Sequence, residues 1–333
     1  MIPAARSHPP RRMATASSKG YSARGARSIR MLAPYPFRRC FFHHVRRLDD
    51  SRRNPVHPVR DDDMGLPGVA CRLAALPPGP RLRPAEEVAV DYEAILYDVS
   101  ERVATITLNR PERMNAFSGP LLEEWEHALR RSAEDDGVRA VIVTGAGRAF
   151  SAGADLQATG ADDRVLMADK NAGERRNSLR YTVHRVPQAV QYLDKPYIAA
   201  VNGAAVGAGM DMASMADIRI ASDQARFGMS YVNVGLVPGD GGAWLLPRLV
   251  GVQQALELIW SGELFNAAKA LEIGYVTKVV PHDTLMDEAR AYALRLADGP
   301  PVAIQLAKRL VYRALNQTFQ EALETAQAAM TIV

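Results

Sequence analysis

Short runs of apolar and β-branched residues alternate along the chain with longer stretches in which apolar residues recur every three or four positions. The first pattern is typical of buried strands and the second of amphipathic helices. The pattern predicts strands over 91–99, Val103–Leu108, 138–143, Tyr197–Val201 and near 217–220. It predicts helices over 120–133, over 169–193, from Gly207 onward, within 239–271, over 300–315 and over 317–333. This alternation of strands and helices predicts an α/β fold.

Two loops of small residues follow predicted strands and are candidates for chemistry. Residues 145–156 read GAGRAFSAGADL, and residues 202–209 read NGAAVGAG. Glycines let the backbone turn tightly, so the amide of Ala208, unpaired in a first helical turn, can point outward with the positive end of the helix dipole behind it. Together with the amide of Ala154 it would form an oxyanion hole for one substrate oxygen. Asp211, three residues later, lies on the same helical face as Ala208.

Five segments carry a resemblance to a known family. They are TITLNRPERMNAFS (105–118), VIVTGAGRAFSAGADL (141–156), PYIAAVNGAAVGAGMDMASMADIRIAS (196–222), ARFGMSYVNVGLVPGDGGAWLLPRLVG (225–251) and ALEIGYVTKVV (270–280). In this order and at this spacing the chain resembles the crotonase, or enoyl-CoA hydratase/isomerase, superfamily over about residues 90–333. The resemblance implies a crotonase-like ββα spiral with a C-terminal helical region, a coenzyme A thioester as substrate, an oxyanion hole at Ala154 and Ala208, and homotrimers or hexamers.

The residues that would move protons depart from one pattern of that family and partly match another. Hydratases of the family use two glutamates, at the positions of Asp211 and Tyr231, whereas an aspartate carboxylate is drawn back by about 1.5 Å and a tyrosine is no base near neutral pH without a large pKa shift. Dienoyl-CoA isomerases carry aspartates at the positions of Asp211 and Asp240, but a glutamate where Tyr231 stands. We therefore predict that Asp211 and Asp240 are the catalytic, proton-handling pair, and that Tyr231 is a pocket wall or neutral donor. Burial together would raise at least one of their pKa values towards neutrality.

Each candidate also has a structural interpretation. Asp211 can be a carboxylate that accepts backbone hydrogen bonds, and Asp240, just before AWLLPRLVG, can be an ordinary helix N-cap. Arg113, in the loop LNRPERMNAF, can meet the phosphates of coenzyme A or be a common surface arginine. The predicted substrate-binding set is Ala152, Asp155, Leu156, Tyr231 and Arg113. The charged segment 163–177 is predicted to form a mobile lid over the acyl pocket.

Other classes of function find no support in the motifs. GAGRAF follows a strand but ends at Phe150, and no acidic residue follows a second strand, so it does not match a dinucleotide fingerprint. There is no Walker A motif and no G-x-S-x-G turn, and the seven histidines show no metal-ligand spacing. We expect no metal and no separate cofactor, because coenzyme A is part of the substrate. No apolar run approaches the roughly 18 residues of a membrane span.

The basic character of the chain resides in its first residues. Residues 1–60 contain 13 Arg and one Lys against two Asp, a net charge of +12, and because the whole chain carries +4, residues 61–333 carry −8. Arginine, serine and proline without apolar periodicity predict disorder over 1–88. Three interpretations compete: a mitochondrial transit segment, a nucleic-acid-binding arm, and an over-extended start upstream of Met13, Met31 or Met64. We favour the last, which makes nucleic acid an unexpected partner and the cytoplasm the expected compartment.

The sequence thus predicts three parts and one principal function. Residues 1–88 form the extension, residues 89–280 the ββα spiral core and residues 281–333 a C-terminal helical region that stops short of the usual family end. The predicted function is that of an enoyl-CoA hydratase/isomerase-type enzyme, a lyase or isomerase, which stabilises an acyl-CoA enolate in the oxyanion hole during double-bond isomerisation or hydration. The alternative is a noncatalytic acyl-CoA-binding or assembly subunit that has lost the catalytic glutamates.

Overall fold

The computed structural model describes residues 91–155 and 171–333, and every structural statement below concerns these residues. The strands are β1 Ile95–Ser100, β2 Val103–Leu108, β3 Ala140–Gly145, β4 Ala149–Ser151, β5 Tyr197–Val201, β6 Ala204–Val206, β7 Ile218–Ser222, β8 Arg226–Gly228, β9 Phe265–Asn266 and β10 Lys278–Val280. The helices are α1 Gly119–Glu134, α2 Ala172–Ser178, α3 Arg185–Tyr192, α4 Ala208–Ser214, α5 Gly242–Val250, α6 Val252–Ser261, α7 Ala267–Glu272, α8 Leu285–Ala297, α9 Pro301–Ala314 and α10 Phe319–Met330.

The strands form two sheets that are mostly parallel. The larger sheet has the order β1-β2-β3-β5-β7-β10 and is parallel except for the β1–β2 hairpin. The smaller sheet has the order β4-β6-β8-β9 and is parallel except for the last pair. Three long strands of the larger sheet, β3, β5 and β7, are each followed by a short strand of the smaller one and then by helix. This is the predicted ββα repeat.

Both faces of the larger sheet are covered, which explains why nearly every residue of its central strands β3, β5 and β7 is buried. Val141 and Val143 of β3 pack into the main core, whereas Ile142 packs on the opposite face. Trp125 of α1 is fully buried in the main core, and its Nε1 donates to the Tyr197 hydroxyl at 3.2 Å. The opposite face is covered by alanines and a leucine of α8. Strands buried on both faces lose the polar/apolar alternation of half-exposed strands.

The predicted helix over 169–193 is interrupted. Asn171 caps α2 and forms a capping box with Glu174, a π-helical turn follows over Leu179–Val183, and α3 begins at Arg185. The amide of His184 donates to the carbonyl of Leu179, five residues earlier, at 2.8 Å. A single extra residue shifts the phase of the apolar periodicity, but the helical segments on either side are too short for the shift to be recognised in the sequence.

Several predictions lie partly or wholly outside the described residues. The extension 1–88, the predicted lid residues 163–170 and the substrate-binding candidate Leu156 belong to this group. From Asn171 onward the predicted lid is helical and not irregular, because Asn171 and Glu174 form the capping box at the start of α2. Among the helices of 91–155 and 171–333, none combines the length and the apolar character that crossing a bilayer requires.

Candidate active site

The two glycine-rich loops pack directly against each other, because β4 and β6 are parallel neighbours and their carboxyl ends meet at one edge of the smaller sheet. A Cβ on Gly153 would lie 2.7 Å from the carbonyl oxygen of Val206 and 2.9 Å from the amide nitrogen of Ala208. A Cβ on Gly209 would overlap the carbonyl oxygen of Ser151. Only glycine allows such an approach, and Gly153 also adopts a positive φ of 77°. The residue next to Ala154 therefore touches the amide of Ala208.

Neither proposed oxyanion donor is used within the fold. In the part of the chain that the structure describes, the amides of Ala154 and Ala208 donate to no backbone carbonyl. The loop around Ala154 is held by other bonds, since the Phe117 amide donates to the Gly153 carbonyl at 2.7 Å. Ala208 is the first residue of α4, where backbone amides have no partner within the helix. Among the described residues, both amides therefore lack a backbone acceptor, as donors to a ligand oxygen must.

One turn into α4, Asp211 joins a buried chain of three side chains. Its Oδ2 lies 2.7 Å from the Tyr231 hydroxyl, and the same hydroxyl lies 2.9 Å from Oδ2 of Asp240. Asp211 is fully buried and the other two are nearly so. The three residues come from α4, from the 3-10 turn Ser230–Val234 and from the loop before α5. The sequence pattern did not show that Tyr231 bridges the two aspartates.

The three side chains together fit one proton more than two ionised carboxylates and a phenol would carry. A phenol carries one proton and donates to one acceptor, so the short contact to the second carboxyl group requires a proton on that carboxyl. The Oδ1 atoms of Asp211 and Asp240 are buried, and neither has a hydrogen-bond partner among the described residues. Buried polar atoms without partners are rare in folded proteins and are concentrated where chemistry occurs. The geometry fits one carboxylate, one carboxylic acid and a neutral phenol between them.

The pKa values shift in the same direction. Burial raises the pKa of Asp211 to about 7; the hydrogen bond from Tyr231 opposes this shift, and the charge of Asp240 adds to it. The amides of Gly242 and Asp240 lie close enough to oppose it further. Burial also raises the pKa of Asp240, and burial with the two nearby carboxylates raises the pKa of the Tyr231 phenol. Tyr231 therefore stays neutral, and Asp211 is placed to exchange a proton near neutral pH.

The predicted substrate-binding residues have mixed surroundings. Arg113 makes a two-pronged ion pair with Asp155, with Nε 3.0 Å from Oδ2 and Nη2 2.8 Å from Oδ1. That pair holds the side chain of Asp155, the residue after Ala154, and it engages the guanidinium that sequence analysis considered for contact with the phosphates of coenzyme A. The Ala152 amide donates to the Met114 carbonyl at 3.0 Å, so it is not a ligand donor. These roles in substrate binding stay predictions.

Sequence analysis missed His184, which lies beside the aspartate chain. Its Nε2 is 3.0 Å from the Gly239 carbonyl oxygen and 3.9 Å from Oδ1 of Asp240. His184 and Asp240 both line a cavity of about 1060 Å³ between α3, the start of α5 and α9. No residue spacing links position 184 to position 240, so no sequence signal pointed to this contact. Within the described ranges, no group of three or more His, Cys, Asp or Glu side chains could hold a metal ion.

Comparison with known proteins assigns the family. The sequence profile named enoyl-CoA hydratase/isomerase matches residues 98–331. The chain belongs to the enoyl-CoA hydratase/isomerase family. It is therefore an enzyme of the hydratase/isomerase type, and the crotonase resemblance and the predicted α/β fold are confirmed.

Individual members of the family show how similar the chain is to them. It is 38% identical over 235 residues to the short-chain-enoyl-CoA hydratase of Clostridium acetobutylicum, covering 70% of this chain and 87% of that protein. It is 37% identical over 232 residues to the 1,2-epoxyphenylacetyl-CoA isomerase of Escherichia coli, covering 70% and 87%. The crystal structure of an enoyl-CoA hydratase from Bacillus anthracis superposes with a TM-score of 0.67 at 35% identity, covering 72% of this chain and 90% of that one. A hydratase and an isomerase match almost equally, so overall similarity does not separate the two reactions.

Proposed function

We propose that this family member moves a carbon–carbon double bond within the acyl chain of a coenzyme A thioester. The relatives named above act on coenzyme A esters according to their names, which supports the substrate class. The observation that carries the choice of isomerisation is the chain Asp211–Tyr231–Asp240, with a neutral phenol in the place of a second carboxylate.

In the proposed reaction, the thioester oxygen accepts hydrogen bonds from the amides of Ala154 and Ala208. Asp211, one helical turn from Ala208, removes a proton from the carbon next to the carbonyl, and the negative charge moves onto the oxygen held by the two amides. The double bond shifts as Asp211 delivers a proton to the carbon two positions further along the chain. One C–H bond breaks and one forms, so the carboxyl group ends as it began. Burial raises the pKa of Asp211 to about 7, against the hydrogen bond from Tyr231 and with the help of the charge of Asp240.

Hydration makes a different demand on the site. One group must deprotonate water while another protonates carbon, and the resemblance places a glutamate for this task where Tyr231 stands. The raised pKa of the Tyr231 phenol keeps its proton in place at physiological pH, so it cannot activate water. A single proton carried by one carboxyl group is enough for isomerisation. This difference favours isomerisation over hydration as the main reaction.

The test assays the purified protein with two substrates. EDTA is present, and nicotinamide and flavin cofactors are left out. We expect a 3-enoyl-CoA to be converted to the 2-enoyl isomer. The absorbance of the conjugated thioester measures this conversion. We expect slower conversion of crotonyl-CoA to the 3-hydroxy product, measured by chromatography. Faster hydration than isomerisation would overturn the assignment of the reaction. Tight binding of both thioesters with no turnover would instead support the noncatalytic alternative.

We propose further that the enzyme assembles as a trimer or a pair of trimers. Large apolar side chains that are mostly exposed in the single chain, Trp260, Phe319 and Met330, support burial against other copies. Sedimentation equilibrium would give the mass of the assembly directly. A monomer at micromolar concentration would contradict the proposal.

A further inference from the structure

We propose that His184 exchanges protons between the cavity and the buried Asp211–Tyr231–Asp240 chain, acting through Asp240. The inference rests on the proposed function, since it assigns a proton path to the same site. Three observations support it: the position of His184, the burial of the atoms it approaches, and the backbone that places it there.

The first observation is that the aspartate chain has one end that points toward the cavity. Asp211 does not line the cavity, whereas Asp240 and His184 both do. Oδ1 of Asp240 is inaccessible to solvent and has no hydrogen-bond partner among the described residues. His184 Nε2, 3.9 Å away, belongs to a side chain that is 34% exposed. His184 is therefore the titratable group that joins this buried oxygen to the open space.

The second observation is that His184 has two acceptors within reach of one nitrogen. Nε2 now lies at hydrogen-bond distance from the Gly239 carbonyl, 3.0 Å away. Since a hydrogen bond spans about 2.9 Å, a movement of about 1 Å transfers Nε2 from that carbonyl to Oδ1 of Asp240. After this movement His184 and Asp240 lie at hydrogen-bond distance and can exchange a proton directly.

The step balances as a simple proton transfer. When Asp240 is a carboxylate and His184 an imidazolium, the Nε2–H bond breaks, an Oδ1–H bond forms, and the ring becomes neutral with its proton on Nδ1. A hydronium ion in the cavity then gives a proton to Nε2 and becomes water, and the ring returns to the Gly239 carbonyl. In the reverse direction the Nε2 lone pair takes the proton from Oδ1. The proton reaches Asp211 when the Asp240 carboxyl group turns its O–H toward the Tyr231 oxygen: the Asp240 O–H and Tyr231 O–H bonds break together, while a new O–H bond forms on Tyr231 and another on Oδ2 of Asp211, so the phenol ends neutral.

The third observation is the backbone around His184. The π-helical turn Leu179–Val183 ends at His184 and adds one residue to the helical path. Such turns cost stability and are often found at functional sites. The other charged groups lining the cavity are largely occupied with each other: Lys308 lies 2.7 Å from Asp217, and Arg309 pairs with Asp194, which leaves Arg313 as the further cation of this wall. None of these pairs includes His184 or Asp240.

The experiment compares His184→Gln with the wild type in D2O. Glutamine keeps a donor for the Gly239 carbonyl but cannot carry a proton, so structure is retained while transfer is lost. The wild-type enzyme should place solvent deuterium in the isomerised product, whereas H184Q should return the substrate's own proton. We also expect kcat to fall on the order of 10-fold, less than the 10²–10⁴ of a direct acid or base. In His184→Ala, added imidazole should restore both the rate and the deuterium content.

The outcomes separate the relay from the proposed function. His127→Gln is the matched control, because His127 bonds the Tyr92 hydroxyl at 2.8 Å outside the cavity, and it should behave as the wild type. If the wild type shows no double-bond migration, the proposed function fails and the relay fails with it. If the wild type is active and H184Q shows the same deuterium content and pH profile, with kcat within about twofold, only the relay is overturned.

Discussion

The hydroxyl of Tyr231 lies 2.7 Å from Oδ2 of Asp211, so a neutral phenol supports the carboxyl group at the centre of the site. Tyr231 lowers the pKa of Asp211, whereas a second carboxylate at this position would raise it. Tyr231 stabilises the ionised form of Asp211, while burial and the charge of Asp240 stabilise the protonated form. The balance of these influences keeps Asp211 able to gain and lose a proton near neutral pH.

Asp211→Asn tests the proton transfer itself. The amide has nearly the same shape but no basic oxygen, so we expect kcat to fall on the order of 10²–10⁴ with little change in the affinity for an unreactive acyl-CoA. Stopped-flow turnover and calorimetric binding measure the two quantities. Asp98→Asn, an exposed position on β1, serves as the control and should leave both unchanged. A fully active D211N would exclude this residue as the base.

The pH profile should move in opposite directions in two variants. Asp240→Asn removes a charge that raises the pKa of Asp211, so the rise of kcat/KM with pH should shift to lower pH. Tyr231→Phe removes a hydrogen bond that lowers this pKa, so the rise should shift to higher pH. The measured values are apparent ones that belong to the coupled pair. Shifts of the same sign in both variants would contradict the arrangement.

Stability should depend on pH through the same carboxyl group. The pKa of Asp211 is raised from 3.8 to about 7 in the folded chain, so between these pH values the unfolded chain releases a proton that the folded chain keeps. The free energy of unfolding contributed by this group therefore falls as pH rises from about 4 to about 7, and is constant above that range. Urea denaturation should show a smaller fall for D211N than for the wild type. Parallel curves for the two proteins would refute this.

The oxyanion donor at position 208 can be removed without disturbing its helix. Ala208 is the first residue of α4, a position where proline is tolerated, so Ala208→Pro eliminates the amide hydrogen while α4 is retained. We expect kcat to fall by about 10²–10³ with an unchanged circular dichroism spectrum. Ala172→Pro, the same change at the first residue of α2, is the matched control and should retain activity.

The close approach of the two loops should be sensitive to one methyl group. A Cβ on Gly209 would overlap the Ser151 carbonyl, so Gly209→Ala should reduce the free energy of unfolding by roughly 1–3 kcal/mol and lower kcat by separating the amides. In Gly173→Ala the new Cβ would meet only the Asn171 side chain, at 3.2 Å, and stability should stay within about 1 kcal/mol of the wild type. Thermal and chemical denaturation of both variants would show the difference. Equal stabilities of the two variants would mean that the two loops can move apart without a loss of folding free energy.

Much of the fold could be predicted because its strands and helices follow local patterns of apolar and polar residues. Strands β2 and β5 appear with the predicted bounds, since β2 alternates buried apolar residues with two β-branched threonines and β5 is a continuous buried run. Helix α1 appears within one residue of its predicted bounds, with Ser118 accepting from the Leu121 amide at its start. The short strands β4, β6 and β8 were not predicted, because three residues carry too little periodicity to identify a strand.

The sequence by itself determined the α/β alternation, because apolar periodicity is a property of the chain, and its motifs carried the resemblance that led to the family and the ββα order. It also put forward Ala154, Ala208, Asp211 and Asp240 as site residues, a prediction that experiment has to test. Tertiary structure alone decided that Tyr231 bridges the two aspartates, that Asp155 holds Arg113, and that His184 approaches Asp240. The physical reason is that burial and distance set the pKa values and the proton path. Both depend on how elements far apart in sequence are packed, and neither is encoded in any local pattern.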